Sequence, residues 1–130
     1  MQEELWTRVD GYIESVLVPS DPVLDAVIRE SEAAALPQIH VAPSQGKLLE
    51  LLATIQGAES VVEIGTLAGY STIWLARALP PGGRVVTLEA DAKHAAVASA
   101  NFARAGLAGV VEVRLGRALE TLPVLAKEGR

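Results

Sequence analysis

A short apolar run, Val61 to Ile64, passes directly into Gly65-Thr66-Leu67-Ala68-Gly69 and then into Tyr70-Ser71-Thr72. A run this short, bounded by glycine, suits a buried strand better than a helix. Beyond the second glycine, Thr72, Leu75, Ala76 and Leu79 recur at helical spacing until Pro80-Pro81-Gly82-Gly83 ends the pattern. Strand, tight turn and helix in that order imply a parallel sheet, because a strand that returns in the same direction needs a crossover.

The same unit repeats downstream. Val85 to Leu88 reads as a second strand, and an alanine-rich helix runs from about Ala92 to Ala105 and stops at Gly106. Val110 to Arg114 alternates like a third strand, and Ala118 to Lys127 looks helical. Pro123 inside that last helix needs a place in the first turn or a kink. Upstream the texture is helical only. Leu5, Val9, Tyr12, Ile13 and Val16 recur at helical spacing and mark a first helix over roughly Glu3 to Leu17. Asp21 suits an N-cap and Pro22 the first position of a second helix, buried through Val23, Leu24, Val27 and Ile28 and fading near Ala35. After a loop from Leu36 to Pro43, Ser44 is the expected cap of a third helix that buries Leu48, Leu51, Leu52 and Ile55 and ends at Gly57.

The expected architecture is one α/β domain: helices over residues 1–57, then three βα units over 58–130. The first strand would ordinarily sit in the middle of a doubly wound sheet, with later strands on its far side. Residues 1–130 hold no such strands, so an exposed apolar edge or face is expected at the first strand, available to a partner chain or to missing sequence.

Composition excludes several classes of function. The net charge of −5, with scattered basic residues, disfavours a nucleic-acid partner. With no cysteine there is neither a disulfide framework nor a thiolate metal site. Charge or glycine breaks every apolar run well short of a membrane span, and the acidic, amphipathic N-terminus is unlike a secretory signal. A soluble cytoplasmic protein is expected, with no membrane partner.

Ligands of parallel sheets bind outside the carboxyl ends of the strands. Gly65 follows the first strand, where the absent Cβ lets a ligand approach the backbone. Gly69 opens the helix, whose first N–H groups favour a carboxylate or similar group, and Ser71 adds a hydroxyl. The competing interpretation is that both glycines serve only tight packing. Glu89 ends the second strand about 20 residues beyond the glycines, where a carboxylate can accept ribose hydroxyls. A solvated strand-end acid is its alternative; Asp91 suits a helix cap or a substitute for Glu89. A dinucleotide fingerprint would need glycine at Leu67 and Tyr70, a phosphate loop would need G-K-[ST], and a nucleophile elbow fails at Ile73.

Glu63-Ile64-Gly65-Thr66-Leu67-Ala68-Gly69-Tyr70-Ser71-Thr72 resembles motif I of the small cation-dependent O-methyltransferases, the caffeoyl-coenzyme A and catechol O-methyltransferase-like group. The resemblance extends over the early helices, Val41-Ala42-Pro43-Ser44-Gln45-Gly46, the strand end at Glu89, Asn101 through Gly106, and Gly116-Arg117-Ala118. It covers the N-terminal part of that family. It implies a Rossmann-like fold binding S-adenosylmethionine and transferring methyl to a small-molecule hydroxyl, often catechol-like, in a homodimer. By the same resemblance, Glu63 and Gly65 line the methionine and ribose part of the cofactor and Ser71 binds its carboxylate end, with Thr66 and Gly69 also counted as cofactor-binding. Glu89 holds the ribose, Val41 contacts the cofactor from the loop, and Ala118 offers a backbone N–H to the adenine.

The family also implies a divalent cation that lowers the acceptor's pKa. Its aspartate-rich ligand segment is not found here: the aspartates are Asp10, Asp21, Asp25 and Asp91, and none stands where those ligands belong. Glu112, Glu120 and Glu128 are expected to be solvated, so the catalytic residues stay unassigned. His40 lies near the expected cofactor mouth. His94 and Lys47 are expected to be structural or surface residues, and Trp6 and Trp74 to pack in a core or interface.

Overall fold

In the computed structural model, which describes residues 1–130, three helices precede three βα units. They are α1 (Gln2–Leu17), α2 (Pro22–Ala33), α3 (Pro43–Gln56), β1 (Ser60–Ile64), α4 (Tyr70–Arg77), β2 (Arg84–Glu89), α5 (Ala92–Arg104), β3 (Val111–Leu115) and α6 (Ala118–Lys127). The sheet is parallel in the order β1-β2-β3, with Ile64 opposite Leu88 and Leu88 opposite Arg114. β2 is central, so both of its faces must be apolar. Val85 joins Leu24, Val27, Ile73, Ala98 and Phe102 in the main core, whereas Val86 and Leu88 meet Leu125 of α6 on the other face. Burying Ile73 and Phe102, at 0% and 2% exposure, stabilises the fold by about 1.5–3 kcal/mol each.

β1 forms one edge of the sheet, and its Val62 and Ile64 remain 43% and 64% exposed. The apolar edge expected at the first strand is therefore present. Asp21 caps α2 by accepting from the N–H groups of Val23 and Leu24, and also pairs with Arg77 at the end of α4.

Three expectations need correction. The first concerns α3: Leu48, Leu51, Leu52 and Ile55 point outward, and the helix buries Gly46 and Ala53 instead. Periodicity locates an apolar stripe but not the stripe that is packed; the small residues win because they let α3 approach Trp74 of α4 closely. A Cβ built on Gly46 would lie 2.2 Å from the indole nitrogen of Trp74. Against α3 lies α1, which buries no residue and leaves Leu5, Trp6, Val9, Tyr12 and Val16 exposed. Trp74 packs in the core, one of the two settings expected for it. Second, Ala42, not Ser44, is the N-cap of α3, because Pro43 takes the first helical position. The Gln45 side chain accepts the N–H of Ala42 at 2.9 Å.

The third correction concerns the late acids. Glu112 and Glu128 are not simply solvated: Arg114 donates to Glu112 at 2.6 Å and to Glu128 at 2.7 and 3.1 Å, and Arg130 donates to Glu112 at 2.7 Å. This surface network ties β3 to the end of α6. Pro123 lies inside α6, beyond the first turn, and the carbonyl its missing N–H would have bonded belongs to exposed Leu119.

Two outcomes follow from the packing. Gly46→Ala should destabilise the chain by about 1–3 kcal/mol through overpacking against Trp74, read by chemical denaturation. The Arg114 hydrogen bonds hold Glu112 and Glu128 below their ordinary value of 4.5. Depressed carboxylates contribute stability above that value and lose it as pH falls through the folded-state value. The melting midpoint should therefore drop below about pH 4.5, and Arg114→Ala should flatten that drop in a thermal pH series.

Candidate functional site

The register that sets Ile64 beside Leu88 brings the ends of β1 and β2 together, so Gly65 and Glu89 emerge side by side. The Gly65 N–H still bonds the Leu88 carbonyl at 2.8 Å, and the chain then turns sharply. Gly65 and Gly69 both sit at φ 90, and Leu67 between them at φ 52. The two glycines do different work. A Cβ on Gly65 would meet nothing within 4 Å, so its backbone stays open to a ligand, whereas one on Gly69 would lie 2.4 Å from the Phe102 ring. Tight packing accounts for Gly69, and open approach for Gly65.

Glu89 holds this turn. Its Oε1 accepts the N–H groups of Thr66 at 3.2 Å and Leu67 at 2.8 Å, and its Oε2 accepts that of Asp91 at 3.0 Å. From α5, buried Asn101 donates to the Ala68 carbonyl at 2.8 Å. Asp91 caps α5 through the N–H groups of Lys93 and His94, as expected.

Glu63 anchors the other side. Its Oε1 accepts from the hydroxyls of Thr72 and Thr87 (2.8 Å for Thr87), and its Oε2 from that of Ser71 at 2.7 Å. Thr66 and Thr87 share a further hydroxyl contact at 2.7 Å. Thr66, Thr72 and Thr87 are at most 2% exposed, so these bonds form a buried network linking β1, β2, the turn and α4. The first internal bond of α4 runs from Ile73 to the Gly69 carbonyl, which leaves the N–H groups of Tyr70, Ser71 and Thr72 without a backbone partner. The hydroxyl proton of Ser71 is directed at Glu63, so the donor Ser71 has left to offer is its backbone N–H.

These groups border a cleft of about 740 Å³, within the range of small-molecule sites. Val41, Glu63, Gly65, Thr66, Ser71 and Glu89 line it; Gly69 and Ala118 do not. Ala118 instead packs against Val86, Leu88 and Leu125 on the opposite face of the sheet. His40 lines the cleft and tilts against Tyr70, the ring centroids 5.4 Å apart. Lys47 pairs with Glu50 at 3.1 Å on the helix surface.

Sequence reasoning took His94 for a structural residue and did not reach Leu49 or the threonine network. His94 lines the cleft, with Nδ1 3.8 Å from Glu89 Oε2. The available signal was the Asp91 cap, which places the first turn of α5 at the same end as Glu89. No three His, Asp or Glu side chains gather to hold a metal ion.

Comparison with known proteins places this geometry. A family model described as O-methyltransferase matches residues 14–130. A catechol O-methyltransferase of Niastella koreensis is 50% identical over 129 residues, covering 99% of this chain and 58% of that protein. A catechol O-methyltransferase of Mycobacterium tuberculosis is 57% identical over 118 residues, covering 91% of this chain and 54% of its own length. The chain thus spans little more than half of these curated relatives. Among solved structures, an O-methyltransferase from Bacillus cereus in complex with SAH superposes with a TM-score of 0.93 at 55% identity, covering 95% of this chain and 56% of that one.

The buried network predicts its own test. Thr87→Val keeps the shape of the side chain but removes a hydroxyl from both Glu63 and Thr66. It should cost about 1–3 kcal/mol of stability, measured by urea denaturation.

Proposed function

The chain belongs to the O-methyltransferase family, and on that footing we propose that its cleft binds S-adenosylmethionine for methyl transfer to a small-molecule hydroxyl, catechol-like in its chemistry. The observation that carries this reading is the meeting of three features in one cleft: an open Gly65 backbone, unpaired N–H groups at the start of α4, and the Glu89 carboxylate. The SAH-bound relative and the catechol O-methyltransferase relatives support it.

In this reading the free N–H groups of Tyr70 and Ser71, which line the cleft at the positive end of the α4 dipole, receive the cofactor's carboxylate. Glu89 receives its ribose, while Val41 and the apolar wall formed by Ile39 and Leu49 exclude water from its length. Glu63 and Thr66 act by fixing the turn and the first residues of α4. Gly69 acts by letting Phe102 pack beneath that helix start, and Ala118 is assigned to the adenine on family resemblance alone. The bound cofactor supplies a sulfonium methyl group that an acceptor oxygen can displace directly.

A divalent cation belongs to the family resemblance. Residues 1–130 do not form a three-ligand cluster that fits one, so cofactor binding alone carries the reading for this chain. No helix is long and apolar enough to cross a membrane, and a cytoplasmic setting is part of the same proposal. A homodimer is too: the exposed stripes of α1 and α3 lie on adjoining helices, so one isologous contact would cover both in each copy. Sedimentation of the chain as a monomer throughout would count against that contact.

Calorimetry with S-adenosylmethionine and with NAD tests the central reading. Binding of the first is expected, and tighter binding of NAD would sink it. Glu89→Ala should weaken adenosyl binding by about 1.5–3 kcal/mol, as for a lost charge-assisted hydrogen bond. It should also lower the melting midpoint of the unliganded chain, since Thr66 and Leu67 lose their acceptor. Unchanged affinity would remove Glu89 from the ribose.

A further inference from the structure

The peptide that joins Ala68 to Gly69 has two orientations open to it. Gly69 sits at φ 90, and glycine adopts the mirror-image value about as readily, so the peptide before it can turn over at little steric cost. In the structure both ends of that peptide are bonded. The Gly69 N–H donates to the Thr66 carbonyl at 2.9 Å, and the Ala68 carbonyl accepts from the Asn101 side chain at 2.8 Å.

Asn101 belongs to α5, is 1% exposed and does not line the cleft. Its amide has one usable orientation. The Ala68 carbonyl can only accept, and the Arg104 guanidinium, which bonds Asn101 Oδ1, can only donate. A half-turn of the peptide would set the Gly69 N–H against the Asn101 donor and the Ala68 carbonyl against that of Thr66. Both mismatches oppose it. The half-turn would also bring the negative end of the Ala68 carbonyl to the side on which Thr66 lines the cleft, close to the first N–H groups of α4.

We propose that Asn101 is a positioning residue for the cofactor's amino-acid end. It holds the Ala68 carbonyl away from the cleft, so the start of α4 presents only N–H groups and receives a carboxylate through Tyr70 and Ser71. Arg104 keeps the amide in that role. The assignment rests on the adenosyl reading above and deepens it: recognition of the carboxylate depends on Asn101, and recognition of the nucleoside does not.

The test is titration calorimetry of the chain with two ligands. S-adenosylhomocysteine carries the carboxylate; 5′-methylthioadenosine keeps the nucleoside and the sulfur but has no amino-acid end. Asn101→Asp keeps the size of the side chain and its Arg104 partner but exchanges the donor for an acceptor. It should weaken S-adenosylhomocysteine about threefold to tenfold, the value of one hydrogen bond, and leave methylthioadenosine unchanged. Arg104→Met, at an exposed position, should show a smaller loss with the same selectivity, and it decides the question if Asn101→Asp does not fold. Equal losses toward both ligands overturn the assignment, since Asn101 would then only support the fold. Unchanged affinity for S-adenosylhomocysteine overturns it as well. If the wild-type chain binds both ligands equally well, the start of α4 receives no carboxylate, and this assignment falls while the adenosyl reading stands. Binding of neither ligand overturns both.

Discussion

The Glu89 carboxylate shapes the cleft that it faces. Between β1 and α4 the backbone must turn within a few residues, and it does so with Leu67 in the left-handed region. A side chain other than glycine held there costs of order 1–3 kcal/mol and persists only where its surroundings enforce it. Two N–H bonds to Glu89 and the Asn101 bond to the Ala68 carbonyl supply that enforcement. Charge-assisted bonds contribute about 1.5–3 kcal/mol each, enough to offset the strain. The parallel register of β1 and β2 is what delivers the carboxylate to the turn, so sheet pairing and site geometry are one event.

Glu63 solves a second problem of the same kind. A half-buried carboxylate is costly to desolvate unless it is bonded, and three hydroxyls from two different elements bond Glu63. The consequence is rigidity: the first turn of α4 cannot move relative to β1 without breaking the network. Its unpaired N–H groups are therefore held in place before any ligand arrives, which lowers the ordering cost of binding. The same network turns the Ser71 hydroxyl toward the protein, so the charge-receiving part of this site is backbone.

The helical half follows a different logic. α3 packs on α4 through Gly46 and Ala53, where small residues allow close approach to Trp74. Its larger apolar residues are thereby turned outward, alongside those of α1. An exposed apolar surface spread over two adjoining helices is unusual for an isolated monomer. The exposed edge of β1 adds to it on the sheet side.

Local patterns carried much of this in advance. The alternation of strands and helices, the glycine turn, the Asp21 and Asp91 caps and the position of Glu89 could all be read from spacing, because each depends on neighbours within a turn or a strand. Which stripe of α3 is buried could not, since helical periodicity gives an apolar face but not its orientation toward α4. The separate duties of Gly65 and Gly69 depended on where Phe102 arrives from α5. The occupation of Glu63 by Thr87 depended on the pairing of β1 with β2. Residue order thus settled the elements and the chemistry available at their ends. Packing between distant segments settled which of those groups stay free to meet a ligand, because a hydrogen-bonding site used inside the protein is no longer open to one outside it.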